Sequence, residues 1–498
     1  MLSIIIIFFV GILAYSNAFL CSFHFDDLRL ISGNLAIRNI HDLPAIWNFY
    51  PCRFLTFLSL AFNYHFHGLD LFGYHLFNIL VHIGSAILVW WLTRLTLSTP
   101  VMRDDKIAKH GNLIALFAGL VFVSHPVQTE AVTYIWQRAA SMATLFYLAS
   151  LCLYVKSRLL QKSVIASEAK QSFKPYYICS LITAIAAMFT KETAVTLPLM
   201  ILLYEFIFLK WEGATKRLAP FLLTIFIIPV TMLFTNAASF QKVEGIVNIS
   251  SMHYLLTQFR VLVTYIRLFF LPVSQNFDYD YPVFKNIFQP SVLISLLFLM
   301  TVLFVAKRLF SKYRLLSFSI LWFFLTLLPE SSILPQDDVI YEHRLYLPMV
   351  GYSIFLVSSV YYLWEKNSIA SMVKVFVVLI ACYSVLTYQR NKVWKDEFTL
   401  WSDSVRKSPH KARPYNNLGV IYSQQGNMAQ ALADYNKAIE IYPGYANAYN
   451  NRANVYFQQG DITQAIADYN KAIELDPSYA DAYHNRALAY YQLRRHPP

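Results

Sequence analysis

The run “LSIIIIFFVGILAYSNAFLCSFHFDDLRLI”, residues 2–31, decides how the rest of the chain is read. Residues 2–20 carry no charge and are long enough to cross a bilayer, which takes about 20 helical residues. Two carboxylates, Asp26 and Asp27, follow almost at once. The run lacks a basic leading region, and Ala14–Ala18 is a weak processing site, so residues 3–20 are expected to form a retained first span. The same character extends outward. Of 498 residues, 57% are hydrophobic, 16% aromatic and 14% charged, against roughly 25% charged in soluble domains. Past Gln389 the sequence turns polar and rich in Ala, Asn and Tyr. The expected fold is all-α. A polytopic membrane domain covers 1–389, a linker with a degenerate half-repeat covers 390–411, and a helical solenoid covers 412–498.

About eleven spans are expected, near 3–20, 72–96, 112–124, 138–155, 176–190, 193–209, 218–235, 290–308, 315–329, 345–364 and 369–388. Basic residues collect in four loops, at 103–109, 156–174, 210–217 and 307–314, which places those loops in the cytoplasm. This explains the net charge of +12 as membrane orientation rather than nucleic-acid binding. All four loops share one side only if residues 254–272 and 53–67 do not cross. Arg260 and Arg267 lie on one face of the former, so we read it as interfacial or re-entrant. The C-terminal domain then ends up outside the cytoplasm.

The tail repeats with a period of 34: Tyr415, Tyr449 and Tyr483 align, as do Gly426 with Gly460, Tyr435 with Tyr469, and Pro443 with Pro477. Ala431, Ala438, Ala465 and Ala472 supply small residues where paired helices touch. This is the tetratricopeptide pattern, with two full repeats, a third that is truncated, and a half-repeat marked by Trp401 and Pro409. So short an array is marginal alone, docked on the membrane domain, or part of a longer array.

A carboxylate at a membrane boundary is costly unless hydrated or paired. When partly desolvated it is a competent general base. The plainer reading of Asp26 and Asp27 is a polar loop opening, with Asp27 capping a helix. Other polar islands fall on the same expected face. “SHPVQTEAVTYIWQR” carries His125, Glu130 and Arg138; “FTKETAV” carries Lys191 and Glu192; “NFDYDYP” carries Asp278 and Asp280. “LPESSILPQDDVIYEHRLYLP” carries Glu330, Asp337, Asp338, Glu342, His343 and Arg344. Arg138, Lys191 and Arg344 are candidate phosphate ligands, Arg through its planar fork and Lys as a point charge. The alternative for each is an ion pair or a solvated charge. His125 with Glu130, or Glu342 with His343, lacks a third ligand at zinc spacing, and Asp278-Tyr279-Asp280 is a short acidic match. A divalent metal is therefore not indicated, and no cofactor motif appears. Cys21 and Cys52 bracket the acidic loop, where either a disulfide or two separate thiols would fit.

Taken in order, “FHFDD”, “RFLTFLSLAFNYHFHGLDLFGYHLFNILVH”, “HPVQTEAV” with its following Arg, “KE”, “FDYDYP”, “YEHRLYLP” and the repeat tail resemble the transmembrane and tetratricopeptide-repeat O-mannosyltransferase family. More distantly they are similar to the protein O-mannosyltransferases and other glycosyltransferases of the C-type superfamily (GT-C). The resemblance implies a polyprenyl-phosphate sugar donor, a protein Ser or Thr acceptor, and an active site on the non-cytoplasmic face. It also implies that Asp26 is the base and Asp27 its support, with phosphate contacts at Lys191, Arg138 and Arg344. The repeats would bind the acceptor or a partner protein. Separately, few N-x-S/T sites and a compact form point to a prokaryotic inner or plasma membrane with an outer-facing site, the alternative being the endoplasmic-reticulum membrane of a eukaryote. An oligosaccharide ligase would instead centre on a large late outer loop. A transporter would show broken helices at mid-membrane. A scaffold would work through the repeats alone.

Overall fold

The computed structural model describes residues 1–162, 174–209, 214–234, 249–336, 338–364 and 367–495. Asp337, Lys210 and most of the small polar stretch 163–174 lie outside them. Among the described residues the chain is helical and has no strand.

Among the described residues, seven helical stretches are long and apolar enough to cross a membrane: Leu2–Leu20, Leu71–Leu97, Lys106–Ser124, Ile135–Gln161, Thr215–Leu233, Pro290–Leu309 and Ile369–Trp394. The remaining expected spans are shorter helices, Lys174–Met188, Leu197–Phe208, Arg314–Leu327 and Pro348–Leu363. The architecture fits a multi-pass membrane protein. Several helices turn bare apolar surface outward, as Ile294, Leu297 and Met300 do on Pro290–Leu309, which lipid tails would cover.

The expected span at 218–235 is a broken one, Ala214–Thr224 followed by Ile227–Leu233. Pro229 has no N–H to donate to the Ile225 carbonyl, so the hydrogen-bond ladder loses a bond at this break. Ser251–Phe270 forms one uninterrupted helix. Its Tyr254, Val261, Tyr265 and Leu268 are buried, while Arg260 lies within 3.2 Å of Ser295 Oγ.

The connections that carry the polar islands come together around residues 25–26, 130–137, 191, 277 and 341–344. A second apolar core sits there. Phe25, Tyr134, Phe277, Trp394 and Trp401 interlock, with Tyr134 stacked on Trp394 at 5.6 Å between ring centroids and Phe277 edge-on to both tryptophans. Such aromatic pairs add about 0.5–1.5 kcal/mol each beyond burial. They join the acidic loop, the 125–137 connection and the helix Glu397–Lys407.

Cys21 Sγ points to the Asn391 carbonyl at 3.6 Å and Cys52 Sγ to Thr231 Oγ1 at 3.0 Å. No disulfide links them, because their neighbours hold the two thiols toward different helices.

The tail pairs Ala412–Gln424 with Met428–Ile441 and Ala446–Gln458 with Ile462–Leu475, followed by Ala480–Arg495. Gly426 and Gly460, at φ +78° and +84°, end the first helix of each pair in the left-handed region that favours glycine. Tyr435 lies flat against Gly419, where a Cβ would sit 2.6 Å from its ring. Of the three states expected for a short array, the first part of this one is docked. Trp401 is 1% exposed and packs on Phe25 and Phe277 of the membrane domain.

Candidate active site

A cavity of about 440 Å³ opens at the polar end of the bundle. Of the residues singled out from sequence, Asp26, Glu130, Lys191, Glu330, His343 and Arg344 line it together. They come from four connections that are far apart in the chain.

Asp26 and Asp27 divide in role. Phe25 takes φ +43°, unusual for a residue with a side chain, and this turn directs neighbouring side chains differently. Asp27 is fully buried and accepts the His24 amide at 3.0 Å and the Trp136 amide at 2.7 Å. It is a brace between two connections. Asp26 is half-buried and faces the cavity. Its amide donates to the Tyr134 hydroxyl at 3.1 Å, and that hydroxyl also bonds its carboxylate. Burial raises the Asp26 carboxyl above its usual range, opposed by Arg29, the Tyr134 hydroxyl, Arg413 and Arg53. A carboxylate lifted in this way is a stronger base than one in water.

The cationic wall stands on three elements. Lys191 Nζ pairs with Glu330 Oε1 at 3.2 Å. Arg53 is clamped by Glu192 through two bonds of 3.0 Å, and the Tyr50 hydroxyl donates to the same carboxylate at 2.8 Å. Arg344 donates to the carbonyls of Asp338 and Val339 at 2.9 and 3.1 Å and to the Tyr254 hydroxyl at 3.3 Å. Its hydrogen-bond partners are neutral, and the nearby Glu330 carboxylate interacts with its charge. Glu130 accepts the amides of Glu342 and His343 at 3.0 and 3.2 Å, and its other oxygen lies 2.5 Å from His343 Nδ1. Burial pushes the Glu130 carboxyl up to about 7 and holds the His343 ring well below its usual value.

Other sequence candidates serve elsewhere. Arg138 is fully buried and does not line the cavity. Its guanidinium donates to Asn63 Oδ1 at 2.6 Å, Asn78 Oδ1 at 2.9 Å and the Tyr74 carbonyl at 3.2 Å. His125 bonds the Phe269 carbonyl at 2.9 Å and accepts the Val127 amide at 3.2 Å. Glu342 accepts from Gln275, the Asn276 amide and the Tyr279 hydroxyl. Asp278 and Asp280 hold the repeat array: the former pairs with Arg413, and the latter's amide donates to Ser408 Oγ at 2.8 Å. Among the described residues no cluster of three or more His, Cys, Asp or Glu could hold a metal ion.

Sequence reasoning missed Arg53, Tyr134 and Arg413. Arg53 opens an apolar amphipathic stretch, and nothing local marks its clamp by Glu192. Arg413 carried a signal. Lys411 and Arg413 occupy positions that the later repeats fill with Tyr445 and Asn447, then Tyr479 and Asp481.

Comparison with known proteins agrees with this layout. Tetratricopeptide-repeat family profiles match residues 412–445, 434–467 and 453–493. The chain is 24% identical to the protein O-mannosyl-transferase Tmtc3 of Drosophila melanogaster over 86% of its own length and 54% of the relative's. It is 25% identical to the protein O-mannosyl-transferase F38B6.6 of Caenorhabditis elegans, covering 89% and 63%. Human protein O-mannosyl-transferase TMTC3 is 22% identical, covering 86% and 50%. The chain thus spans between half and two thirds of the length of these curated relatives. Through most of its length it is a homologue of the TMTC-family protein O-mannosyl-transferases, and it ends in tetratricopeptide repeats.

Proposed function

We propose that this chain is a membrane glycosyltransferase. It moves one sugar, mannose by likeness to its relatives' names, from a polyprenyl-phosphate donor to a hydroxyl, with protein Ser or Thr as acceptor. The carrying observation is one cavity lined by a base-competent carboxylate, Asp26, and by the cations Arg53, Lys191 and Arg344.

The chemistry needs both halves. The acceptor oxygen attacks the anomeric carbon and loses its proton to Asp26. The bond from that carbon to the phosphate oxygen breaks, and the pair of electrons leaves with the phosphate. Cations held before the reaction stabilise that developing charge without reorganising. Attack from the face opposite the phosphate inverts the anomeric centre. Asp27 keeps its brace role and Glu130 orients the turn that presents His343 and Arg344.

A second cavity supports the lipid-linked donor. An apolar cavity of about 530 Å³ lies between helices Leu197–Phe208 and Arg314–Leu327, lined by Leu199, Leu202, Phe206, Leu321, Phe324 and Leu328. The first helix begins soon after Lys191, and the second ends just before Glu330. A prenyl chain in this groove would therefore deliver its phosphate to Lys191. The repeats would engage the acceptor or a partner protein. We further propose that the cavity and repeats face away from the cytoplasm, across a bacterial or archaeal inner membrane or into the endoplasmic reticulum lumen of a eukaryote.

Membranes carrying the chain, supplied with labelled polyprenyl-phosphate mannose or its glucose analogue, test this directly. Wild type should transfer one of the sugars and Asp26→Asn should not, with equal insertion of both. Undiminished transfer by Asp26→Asn would remove Asp26 from the base role. Absence of transfer from either donor by wild type would sink the donor class. A reporter fused after Gln389 that works only in the cytoplasm would overturn the orientation.

A further inference from the structure

The first tetratricopeptide repeat reaches into the cavity. Arg413, near the start of helix Ala412–Gln424, lines it beside Asp26. Its guanidinium donates from Nε and Nη2 to Asp278 at 2.7 and 2.5 Å, and from Nη2 to Asp338 at 2.6 Å. Lys411 Nζ joins the same two acids, at 2.5 Å to Asp278 and 2.7 Å to Asp338. Two acids from two membrane-domain connections and two cations from the repeat thus form a closed, neutral cluster. Asp278 is only 2% exposed, so losing either cation would leave this buried cluster with an uncompensated negative charge, which is destabilising.

The arginine also meets the acidic loop. Its Cζ lies 5.7 Å from the centre of the Phe25 ring, and Phe25 is the residue at positive φ immediately before Asp26. The segment just upstream of the repeat holds the same loop from behind. The Phe25 amide donates to Glu397 Oε1 at 3.0 Å, the Ser22 amide donates to the Lys395 carbonyl at 3.0 Å, and His24 Nε2 lies 2.6 Å from the Trp394 carbonyl. An uncommon backbone conformation persists only where its surroundings over-determine it. Here the residues that do so lie at the end of the stretch Ile369–Trp394 and just beyond it. The repeat period is broken at Lys411 and Arg413, the two side chains that make the cluster. A module that only recruited acceptors would need neither contact.

We propose that the first repeat is a fixed wall of the transfer cavity and that Arg413 is a positioning residue for the loop carrying Asp26, so that sugar transfer requires the docked array whatever the acceptor. This rests on the reading of Asp26 as the base. The groups that face Asp26 are Asp27 and Arg29 from its own loop, Arg53 and Tyr134 from the neighbouring connections, and Arg413 from the repeat. Removing the Arg413 charge leaves Asp26 harder to ionise, so the acid limb of the rate profile moves to higher pH.

The test uses the full chain in membranes with labelled polyprenyl-phosphate mannose and two acceptors, a Ser/Thr peptide and N-acetylserinamide, which is too small to engage the repeats. For Arg413→Gln, kcat toward N-acetylserinamide should fall by at least about tenfold, and the acid limb should shift upward. Arg413→Lys keeps the charge, so its acid limb should return to the wild-type position even if kcat is only partly restored. Trypsin cleavage after Lys407 or Lys411 reports whether the array stays docked. Loss of transfer with the array released supports the inference, as does loss with the array docked and the acid limb moved. A kcat toward the small acceptor within about threefold of wild type, in either state, overturns it. So does a fall confined to the peptide acceptor, or a fall with no movement of the acid limb while the array stays docked. If wild type itself transfers no sugar, the proposed function and this inference fall together. If wild type transfers and Arg413→Gln does too, only this inference falls.

Discussion

Lys191 Nζ lies 3.2 Å from Glu330 Oε1, and this bond ties the start of one groove-lining helix to the end of the other. A phosphate arriving at Lys191 would have to share the ammonium with Glu330. On the proposed reading, the Lys191 charge stabilises the negative charge that develops on the leaving phosphate. Lys191→Gln should lower kcat/KM for the donor about 100-fold. Lys191→Arg should recover part of that loss, because charge returns without the same geometry. Steady-state transfer assays with donor varied check both, and equal activity of Lys191→Gln and wild type would exclude a phosphate contact.

The apolar groove predicts a dependence on chain length. Leu202→Trp places a large ring between Leu197–Phe208 and Arg314–Leu327. KM for a full-length polyprenyl donor should rise about tenfold, with little change for a donor carrying one or two prenyl units. Equal effects on both donors would place the tail elsewhere.

Asp27 is expected to act through stability. Asp27→Ala leaves the buried His24 and Trp136 amides without their acceptor, at about 1–3 kcal/mol for each unsatisfied group. Asp27→Asn keeps one carbonyl oxygen and should lose less. Resistance to proteolysis in detergent should rank wild type, then Asn, then Ala. An Ala variant as resistant as wild type would show that the brace carries no load.

Glu130 gives a pH signature. Its carboxyl is raised from 4.5 to about 7, so the folded state holds a proton that the unfolded state releases earlier. That contribution is complete below pH 4.5 and is lost as pH rises through about 7. Glu130→Gln mimics the protonated form and lacks this dependence. The Tm of the Gln variant minus that of wild type should therefore grow across this window. A flat difference would show that Glu130 stays ionised throughout.

Trp401 fastens the helix Glu397–Lys407 to the membrane domain. Truncation to Ala removes a fully buried ring from the cluster with Phe25 and Phe277, at about 3–5 kcal/mol. Faster trypsin cleavage between residues 395 and 411, with the membrane helices unaffected, is the expected result.

Most spans were legible because hydropathy is a local property, and the repeats were legible because periodicity needs no partner. Asp26, Lys191 and Arg344 stood out as polar islands between apolar runs, and the fold gathers them. Arg138 stood out for the same reason yet points into a nest of Asn63, Asn78 and Tyr74, because the direction of a side chain depends on neighbours distant in sequence. Arg53 was invisible because its partner, Glu192, lies 139 residues away. Arg413 was hidden differently. The repeat pattern explains its neighbourhood so well that a departure at one position attracts no notice unless the repeats are compared column by column.

The grip of Trp394, Lys395, Glu397 and Arg413 on the acidic loop also sets a timetable for biosynthesis. The loop leaves the ribosome roughly 370 residues ahead of its supports, which follow tens of seconds later at about 5–20 residues per second. Until then the membrane helices can insert and pack, but the loop lacks the contacts that hold Phe25 in its turn. On the proposed reading, the base is therefore unfinished until the stretch Ile369–Trp394 has delivered the chain beyond it to the side of the acidic loop.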